Sequence, residues 1–476
     1  MTPTAQNPAA PDSAARVQLL LATTPQGAAL LAAALDAGLL GTARERLLLV
    51  ANTAAVPETT PAPDALPGFA PLRSRFTRVL SWNAVIRPLH PGDWRPRADD
   101  APLWERQLRT LWGLEGAEVE LVVEGIGAAP AQALARIFPD APLDALATGL
   151  SAYGPTPGKL DPLLGTRVRR LLHPGLLPGL RPLLLTEFGV GARAVPAGAL
   201  RAVLAESARE LPPVDAPEGC ALLLGQDPSA PGALPAGEEE RLYGRLLRGL
   251  RELGHRTVVL APDPAAPEHR VRALRERAGE LGVELSVAWG APPPEVLCER
   301  LRPALVTGWS PGALLTAGAV CGLPVARGGT DVVLTRMTPY ENDDRVPAVI
   351  ADTLLPDLAD PAAGQWRVPD AGGEDGEDGG GAAGADDGET WAELAGLVRA
   401  VAFCMWPRVH PELRGEAERF LAAHSDDRTR RHFARRRLVS LALPGAVPAG
   451  LAPLVRSTAV RRTARRARAL GRRVRR

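Results

Sequence analysis

Short runs of apolar residues recur along the chain. Most are followed by a stretch in which apolar positions return every three or four residues. RVQLLLATT, residues 16–24, is the first such run, and PQGAALLAAALDAGLL after it has helical spacing. ERLLLVANT, FTRVLSWN and EVELVVEGI repeat the theme, the last leading into the helical APAQALARIF. LRPLLLTEFG closes this half near residue 189. After PPVDAPEG, residues 212–219, the pattern restarts. CALLLGQDP, HRTVVLAPDP, VELSVAWG, PALVTGW and LPVARGG read as strands; EEERLYGRLLRGLRELG, EHRVRALRERAGELG, PPEVLCERL and PGALLTAGAVCG between them read as helices. Short apolar runs bounded by turn residues fit strands buried on both faces, and their alternation with helices fits parallel sheets with crossover connections.

This pattern predicts an α/β protein with two doubly wound, Rossmann-like domains, residues 16–211 and 220–369, joined by a linker at 212–219. Ligand crevices belong at the carboxyl ends of the strands. Two such domains facing across a cleft make the GT-B arrangement of many nucleotide-sugar glycosyltransferases, although a fold alone does not fix a function. The Pro/Ala/Ser-rich residues 1–15 and the acidic, Gly-rich 370–389 cannot bury a core and are expected to be disordered. Helices are expected over 390–443, where Trp391, Leu394, Leu397, Val398 and Val401 recur at helical spacing, as do Ala417, Phe420 and Leu421. Residues 444–476 form a Pro/Ala then Arg-rich tail.

Ten arginines fall within residues 456–476. Three readings compete for them: a solvated tail, attraction to an anionic membrane surface or acidic polysaccharide, and nucleic-acid binding. No aromatic residue interleaves with the arginines to stack on bases, which disfavours nucleic acid. The net charge of +1 over 476 residues singles out no polyanionic partner. Lys159 is the one lysine, and with the heavy use of Ala, Pro and Gly this fits a GC-rich genome such as an actinobacterium's. Cys220, Cys298, Cys321 and Cys404 are widely separated, so neither a metal site nor a disulfide framework is expected. The first residues lack a signal-peptide pattern, and there is no apolar run long enough to span a bilayer. The expectation is a cytoplasmic protein, peripheral on the inner face of the membrane if the tail binds it.

Seven stretches in order carry a family resemblance. They are SWNAVIRPLHPGDWRPR (81–97), LATGLSAYGPTP (146–157), RLLHPGLLPGLRPLLLTE (170–187), LLLGQDPSA (222–230), LAPDPAAP (260–267), VTGWSPGALLTAGAVCGLPVA (306–326) and PYENDDRVP (339–347). Together they resemble the bacterial alpha-2,8-polysialyltransferases, including actinobacterial members, over about residues 16–443 without the acidic insertion. The resemblance implies a GT-B sialyltransferase that moves sialic acid or a related sugar from a CMP-activated donor to a surface or capsular glycan, with no metal or other cofactor. It also implies an Asp-Gly pair supplying the general base, a His-Pro pair at the CMP phosphate, and a Ser-Thr pair at a helix start holding phosphate oxygens. A sugar hydroxyl needs a base as it attacks, and a departing phosphate needs hydrogen-bond donors.

This chain departs at all three places. Thr148-Gly149 stands for Asp-Gly, Asp263-Pro264 for His-Pro, and Ser310-Pro311, followed by Gly312, for the Ser-Thr pair. A threonine hydroxyl is no base near neutral pH, and losing a general base costs about 10²–10⁴-fold in rate. An ionised Asp donates no hydrogen bond and repels phosphate, by about 4 kcal/mol at 4 Å and an effective dielectric near 20. Glu124, at the cleft end of EVELVVE, is the best substitute base, and Asp161 a more distant one; Asp144 lies at the wrong end of its strand. Tyr340, Asn342 and Arg345 line the nucleotide or pack a loop. Asn83, Gly149 and Tyr153 are acceptor-side candidates, and Trp82 reads as core. His173 reads as a packed histidine, and His90 lies in the wrong domain for the nucleotide. Two functions stay open: a transferase with rearranged catalytic groups, and a catalytically inactive paralogue that binds a nucleotide, a glycan or a partner.

Overall fold

The computed structural model describes residues 16–158, 160–213, 216–225, 235–263, 266–290, 292–360, 366, 368, 385–424 and 426–445. The first half opens with β1 (Arg16–Ala22), α1 (Pro25–Asp36), β2 (Glu45–Val50) and β3 (Arg78–Ser81). It continues through α2 (Trp82–Ile86), α3 (Ala101–Trp112), β4 (Glu118–Glu124), α4 (Ala129–Ile137) and β5 (Leu143–Leu146). The short α5 (Pro162–Gly165), β6 (Val168–His173), β7 (Gly191–Ala194) and α6 (Ala197–Arg209) complete it. The sheet is parallel, in the order β3-β2-β1-β4-β5-β6-β7. β1 and β4 are buried almost throughout, as strands covered on both faces must be.

The second half repeats the plan. β8 (Ala221–Leu224), α7 (Ala236–Glu252), β9 (Thr257–Ala261), α8 (Glu268–Glu280) and β10 (Glu284–Val287) lead to α9 (Pro294–Leu301). β11 (Leu305–Gly308), α10 (Pro311–Ala319) and β12 (Val325–Arg327) follow, then α11 (Thr330–Arg336) and α12 (Arg345–Leu354). This sheet is also parallel, in the order β10-β9-β8-β11-β12. In each sheet the strand order reverses beside its first strand, between β1 and β4 and between β8 and β11. Those are the switch points where doubly wound folds open a crevice. Two doubly wound parallel domains with C-terminal helices are the GT-B plan that the hydrophobic pattern predicts.

By contact, the described residues up to 394 form one compact unit and those from 395 onward a second. α13 (Ala385–Met405) runs from the first into the second, where α14 (Arg414–Ala423), α15 (Asp427–Arg430) and α16 (Arg435–Leu441) follow. In the first unit, Trp391 packs against Gly179, where a Cβ would stand 2.3 Å from the indole ring. In the second, Arg437 donates to the Cys404 and Met405 carbonyls at the end of α13.

Two expectations need correction. LRPLLLTEFG forms turns and a short 3-10 helix at Thr186–Phe188, with Leu185 at φ 65. Its Leu183 and Leu184 N–H groups both go to the Ala152 carbonyl rather than to a ladder. The sheet closes later, at the exposed edge strand β7. α13 also begins at Ala385, inside the acidic segment expected to be unstructured. The rest of that segment, residues 1–15 and the Arg-rich tail lie outside the described residues.

Candidate functional site

A cleft of about 600 Å³ opens between the carboxyl ends of the two sheets. The first domain contributes Pro25 and Gln26 at the start of α1, Leu66, and Thr148 to Ser151 after β5. The second contributes Leu224 and Gly225 after β8, Ala261 to Asp263 after β9, Pro292 to Glu295 into α9, and Trp309 to Gly312 into α10. Thr330, Val333, Met337, Asp344, Pro347 and Ala348 close one side.

Five of the candidate residues therefore meet on one surface: Thr148, Gly149, Asp263, Ser310 and Gly312. Pro264 lies outside the described residues. The loops approach closely because they carry glycine. A Cβ on Gly225 would stand 2.8 Å from the Ala261 carbonyl oxygen and the Asp263 nitrogen, so no larger residue lets the ends of β8 and β9 lie side by side. Pro311 opens α10, a position where its missing N–H costs nothing. Ser310 makes no side-chain cap there, and Leu314 N–H is bonded back to the Ser310 carbonyl at 3.0 Å. The first-turn N–H groups of Gly312 and Ala313 precede that bond and have no partner within the helix.

Glu124 is not available as a base. It is 3% exposed and outside the cleft lining. Its carboxylate accepts from Thr23 N at 2.6 Å, Thr24 N at 3.1 Å and Thr24 Oγ1 at 2.6 Å. Thr24 in turn caps α1 by accepting from Gly27 N. Burial raises the Glu124 pKa, and the threonine donors oppose that rise. A Cβ on Gly27 would fall 1.9 Å from Glu124 Oε2, so this glycine makes the space the carboxylate fills. In the first domain, then, the backbone N–H groups just before α1 are taken by the protein's own carboxylate.

Other candidates turn away from the cleft as well. Tyr153 is fully buried; its hydroxyl accepts from Leu177 N at 3.0 Å, and burial lifts its pKa to about 12. It is a core residue, not an acceptor contact. Asn83 pairs with the Asn52 backbone, accepting from its N–H and donating to its carbonyl, each at 2.9 Å. That pairing fixes the loop after β2. Asp161 caps α5 by accepting from Leu163 N at 3.0 Å. Asp144 pairs with Arg169 and Arg170 and is 1% exposed.

In PYENDDRVP, Arg345 is 4% exposed and donates to the Tyr340 and Met337 carbonyls, its guanidinium 4.1 Å from the Tyr340 ring centroid. Asn342 accepts from Asp344 N at 2.8 Å. None of Tyr340, Asn342 and Arg345 lines the cleft; the segment reaches it through Asp344 and Pro347. Trp82 is fully buried in the core. His173 packs edge-on against Tyr153 and accepts from Gly175 N, and burial lowers its pKa to about 4. His90 bonds the Ala54 carbonyl and Gly92 N in the first domain.

Four further lining residues carry chemistry: Gln26 and Glu295 lie outside the motifs, and Trp309 and Asp344 within them. Glu295, on the first turn of α9, is 2% exposed; Oε1 accepts from Gln26 of α1, and Oε2 has no hydrogen-bond partner. Burial raises its pKa. Asp344 is solvent-exposed at the cleft, yet partial dehydration raises its pKa too. Trp309 is 7% exposed, packs against Tyr243 with ring centroids 4.8 Å apart and the planes tilted by 52°, and leaves its indole N–H without a partner. Glu295 follows three prolines and reads in sequence as a helix-start acid. Nothing in the sequence around Gln26 signals its pairing with a residue of the other domain. Among the described residues no group of three or more His, Cys, Asp or Glu could hold a metal ion. Among them too, no helix is long and apolar enough to cross a membrane.

No family model and no curated protein matches the chain. Solved structures do. UDP-GlcNAc 2-epimerase from Methanocaldococcus jannaschii is similar over 66% of this chain and 83% of its own, at 12% identity and a TM-score of 0.40. The E. coli heptosyltransferase with ADP-2-deoxy-2-fluoro heptose covers 66% and 88%, at 16% and 0.36. Phytolacca americana UGT2 complexed with UDP-2fluoro-glucose and pterostilbene covers 86% and 98%, at 13% and 0.36. The architecture is defined by the two sheet orders and the cleft between them rather than by these likenesses.

Proposed function

We propose that the protein binds a nucleotide-activated sugar in the interdomain cleft, as a glycosyltransferase of the GT-B type. The observation that carries this reading is the gathering of Thr148-Gly149, Asp263 and Ser310 to Gly312, distant in sequence, around one cleft. The nucleotide phosphate belongs in the second domain, on the first turn of α10. Backbone N–H groups at a helix start suit a phosphate oxygen. In the first domain the N–H groups of Thr23 and Thr24, just before α1, are taken by Glu124.

The finer reading, transfer of sialic acid from a CMP donor to a surface or capsular glycan, rests on the resemblance. A second reading, binding without transfer, is favoured by Thr148 and Asp263, which remove the base and the phosphate donor that the resemblance would supply. Metal-free chemistry likewise stays a proposal. CMP release from CMP-sialic acid separates the two, measured for the wild type beside the double variant Thr148→Asp, Asp263→His. Release by the wild type supports transfer through other groups. Release by the variant alone supports a binding role on an intact donor site. Release by neither excludes the CMP-sialic acid reading. Attachment of the Arg-rich tail to an anionic membrane is a separate proposal. Removing residues 456–476 should abolish sedimentation with phosphatidylglycerol vesicles, and unchanged sedimentation would dismiss it.

A further inference from the structure

Charge is divided unevenly along the chain. Of its 55 basic residues, 16 are arginines within residues 428–476, a stretch with no Asp or Glu; the other 39 face 54 acids in residues 1–427. The net charge of +1 therefore conceals a strongly basic end on an acidic body. The first part of that end is folded. In the second compact unit, α15 carries Arg428 and Arg430, α16 carries Arg435 and Arg436, Arg431 lies between them, and all five are exposed. The segment is pinned from beneath. Thr429, His432, Phe433 and Leu438 are buried, and Arg437 holds the Cys404 and Met405 carbonyls. The acids of this unit do not neutralise the surface. Glu412, Glu416 and Glu418 pair with His410, Arg399 and Arg414, and Asp426 caps α15 through Thr429. That leaves Asp427 against five arginines. Val439, 51% exposed, stands beside the arginines of α16.

We infer that the exposed arginines of α15 and α16 form a docking surface for an anionic lipid bilayer. This is independent of what the cleft binds. It goes beyond the tail proposal by assigning an ordered surface, which fixes the side of the helical unit that meets the lipid. Each arginine near an anionic leaflet adds attraction, felt within about a Debye length, roughly 8 Å at physiological salt. Such a leaflet draws residues 428–476 and repels the acidic remainder, so the chain approaches by this end. Arginines held on folded helices also lose less freedom on docking than the same charges on an unfolded chain would. Lipid fits this surface better than nucleic acid does. Phe433 and His432 are buried and offer no ring to bases, whereas Val439 offers an apolar side chain to the headgroup boundary.

The test is sedimentation of the full chain with mixed phosphatidylglycerol and phosphatidylcholine vesicles, and with phosphatidylcholine vesicles alone. The wild type should sediment with the mixed vesicles only. The triple variant Arg428→Gln, Arg430→Gln, Arg436→Gln keeps the tail and changes side chains that pair with no described residue. It should bind the mixed vesicles at least tenfold more weakly, roughly what losing three arginines at a charged leaflet implies, with Tm unchanged. A second readout locates the contact. The four native cysteines are buried, so a polarity-sensitive fluorophore on Val439→Cys reports on this face alone. Its emission should shift to the blue on the mixed vesicles. Unchanged sedimentation of the triple variant, or a fluorophore that stays in water on the bound chain, overturns the inference and leaves the tail proposal to the deletion of 456–476. Equal binding to phosphatidylcholine alone, or tighter binding to polysialic acid or RNA than to the mixed vesicles, overturns it too.

Discussion

Gly149 and Gly312 meet backbone to backbone across the cleft. A Cβ on Gly149 would stand 3.6 Å from the Cα of Gly312, and one on Gly312 would stand 3.8 Å from the Cα of Gly149. One follows β5 of the first sheet and the other opens α10 of the second, so the contact sets how near the two domains come at the phosphate end. Gly149 also has φ 54, in the left-handed region. Gly149→Ala should therefore cost about 1–2 kcal/mol, mostly backbone strain. Gly312→Ala, with helical backbone and ordinary contact distances, should leave stability within about 0.5 kcal/mol. Equal losses in urea titrations of the two variants would contradict this account of the contact.

Glu124 holds the turn between β1 and α1. Glu124→Gln replaces a carboxylate that accepts two backbone N–H groups and a hydroxyl with an amide that has a single acceptor oxygen. We expect a loss of about 2–3 kcal/mol, because buried donors are left unpaired. Gly27→Ala should be at least as damaging, since the new methyl collides with the same carboxylate. The folded fraction of Glu124→Gln should bind nucleotide as the wild type does. A normal Tm with lost CMP release would return Glu124 to the catalytic role it has on sequence grounds.

Tyr153→Phe distinguishes a core residue from an acceptor contact. It leaves Leu177 N–H buried without its partner and should destabilise the protein by about 1–3 kcal/mol. The affinity for a nucleotide sugar should not change. A stable variant with altered sugar binding would show that the hydroxyl reaches the ligand.

His173 makes stability depend on pH. Its folded pKa of about 4 lies below the ordinary 6.5, so the unfolded chain takes up a proton first as the pH falls. The stability gained by burying the neutral ring is complete above pH 6.5 and is lost as the pH drops toward 4. From that difference it amounts to roughly 3 kcal/mol at most. His173→Gln keeps an acceptor for Gly175 N–H and cannot titrate there. Chemical denaturation at several pH values should show a shallower decline between pH 6.5 and 4 for the variant. Parallel curves would contradict the assignment.

The two domains were legible because each strand is a short apolar run and each crossover helix has its own period. LRPLLLTEFG shows the limit of that signal. It has a strand's apolarity, but its backbone bonds to Ala152 in the loop after β5, a tertiary contact no local pattern contains. The motif positions that reach the cleft, Thr148, Asp263 and Ser310, follow strand ends, where the fold itself directs them. Glu124 also ends a strand, but Gly27 makes room for it to turn toward α1. The Gln26–Glu295 pair joins residues from the two domains, and neither residue type nor spacing marks it.

On the proposed function, the cleft between the sheets holds a nucleotide through the first turn of α10. The most direct measurement is calorimetric titration of the wild type and Gly312→Val with CMP and UMP, with Tm recorded for each. The branched side chain would cover the N–H groups of that turn. We predict one-to-one binding of at least one nucleotide by the wild type, and at least tenfold weaker binding by a variant that melts normally. Binding by neither protein, or equal binding by both, would contradict the claim.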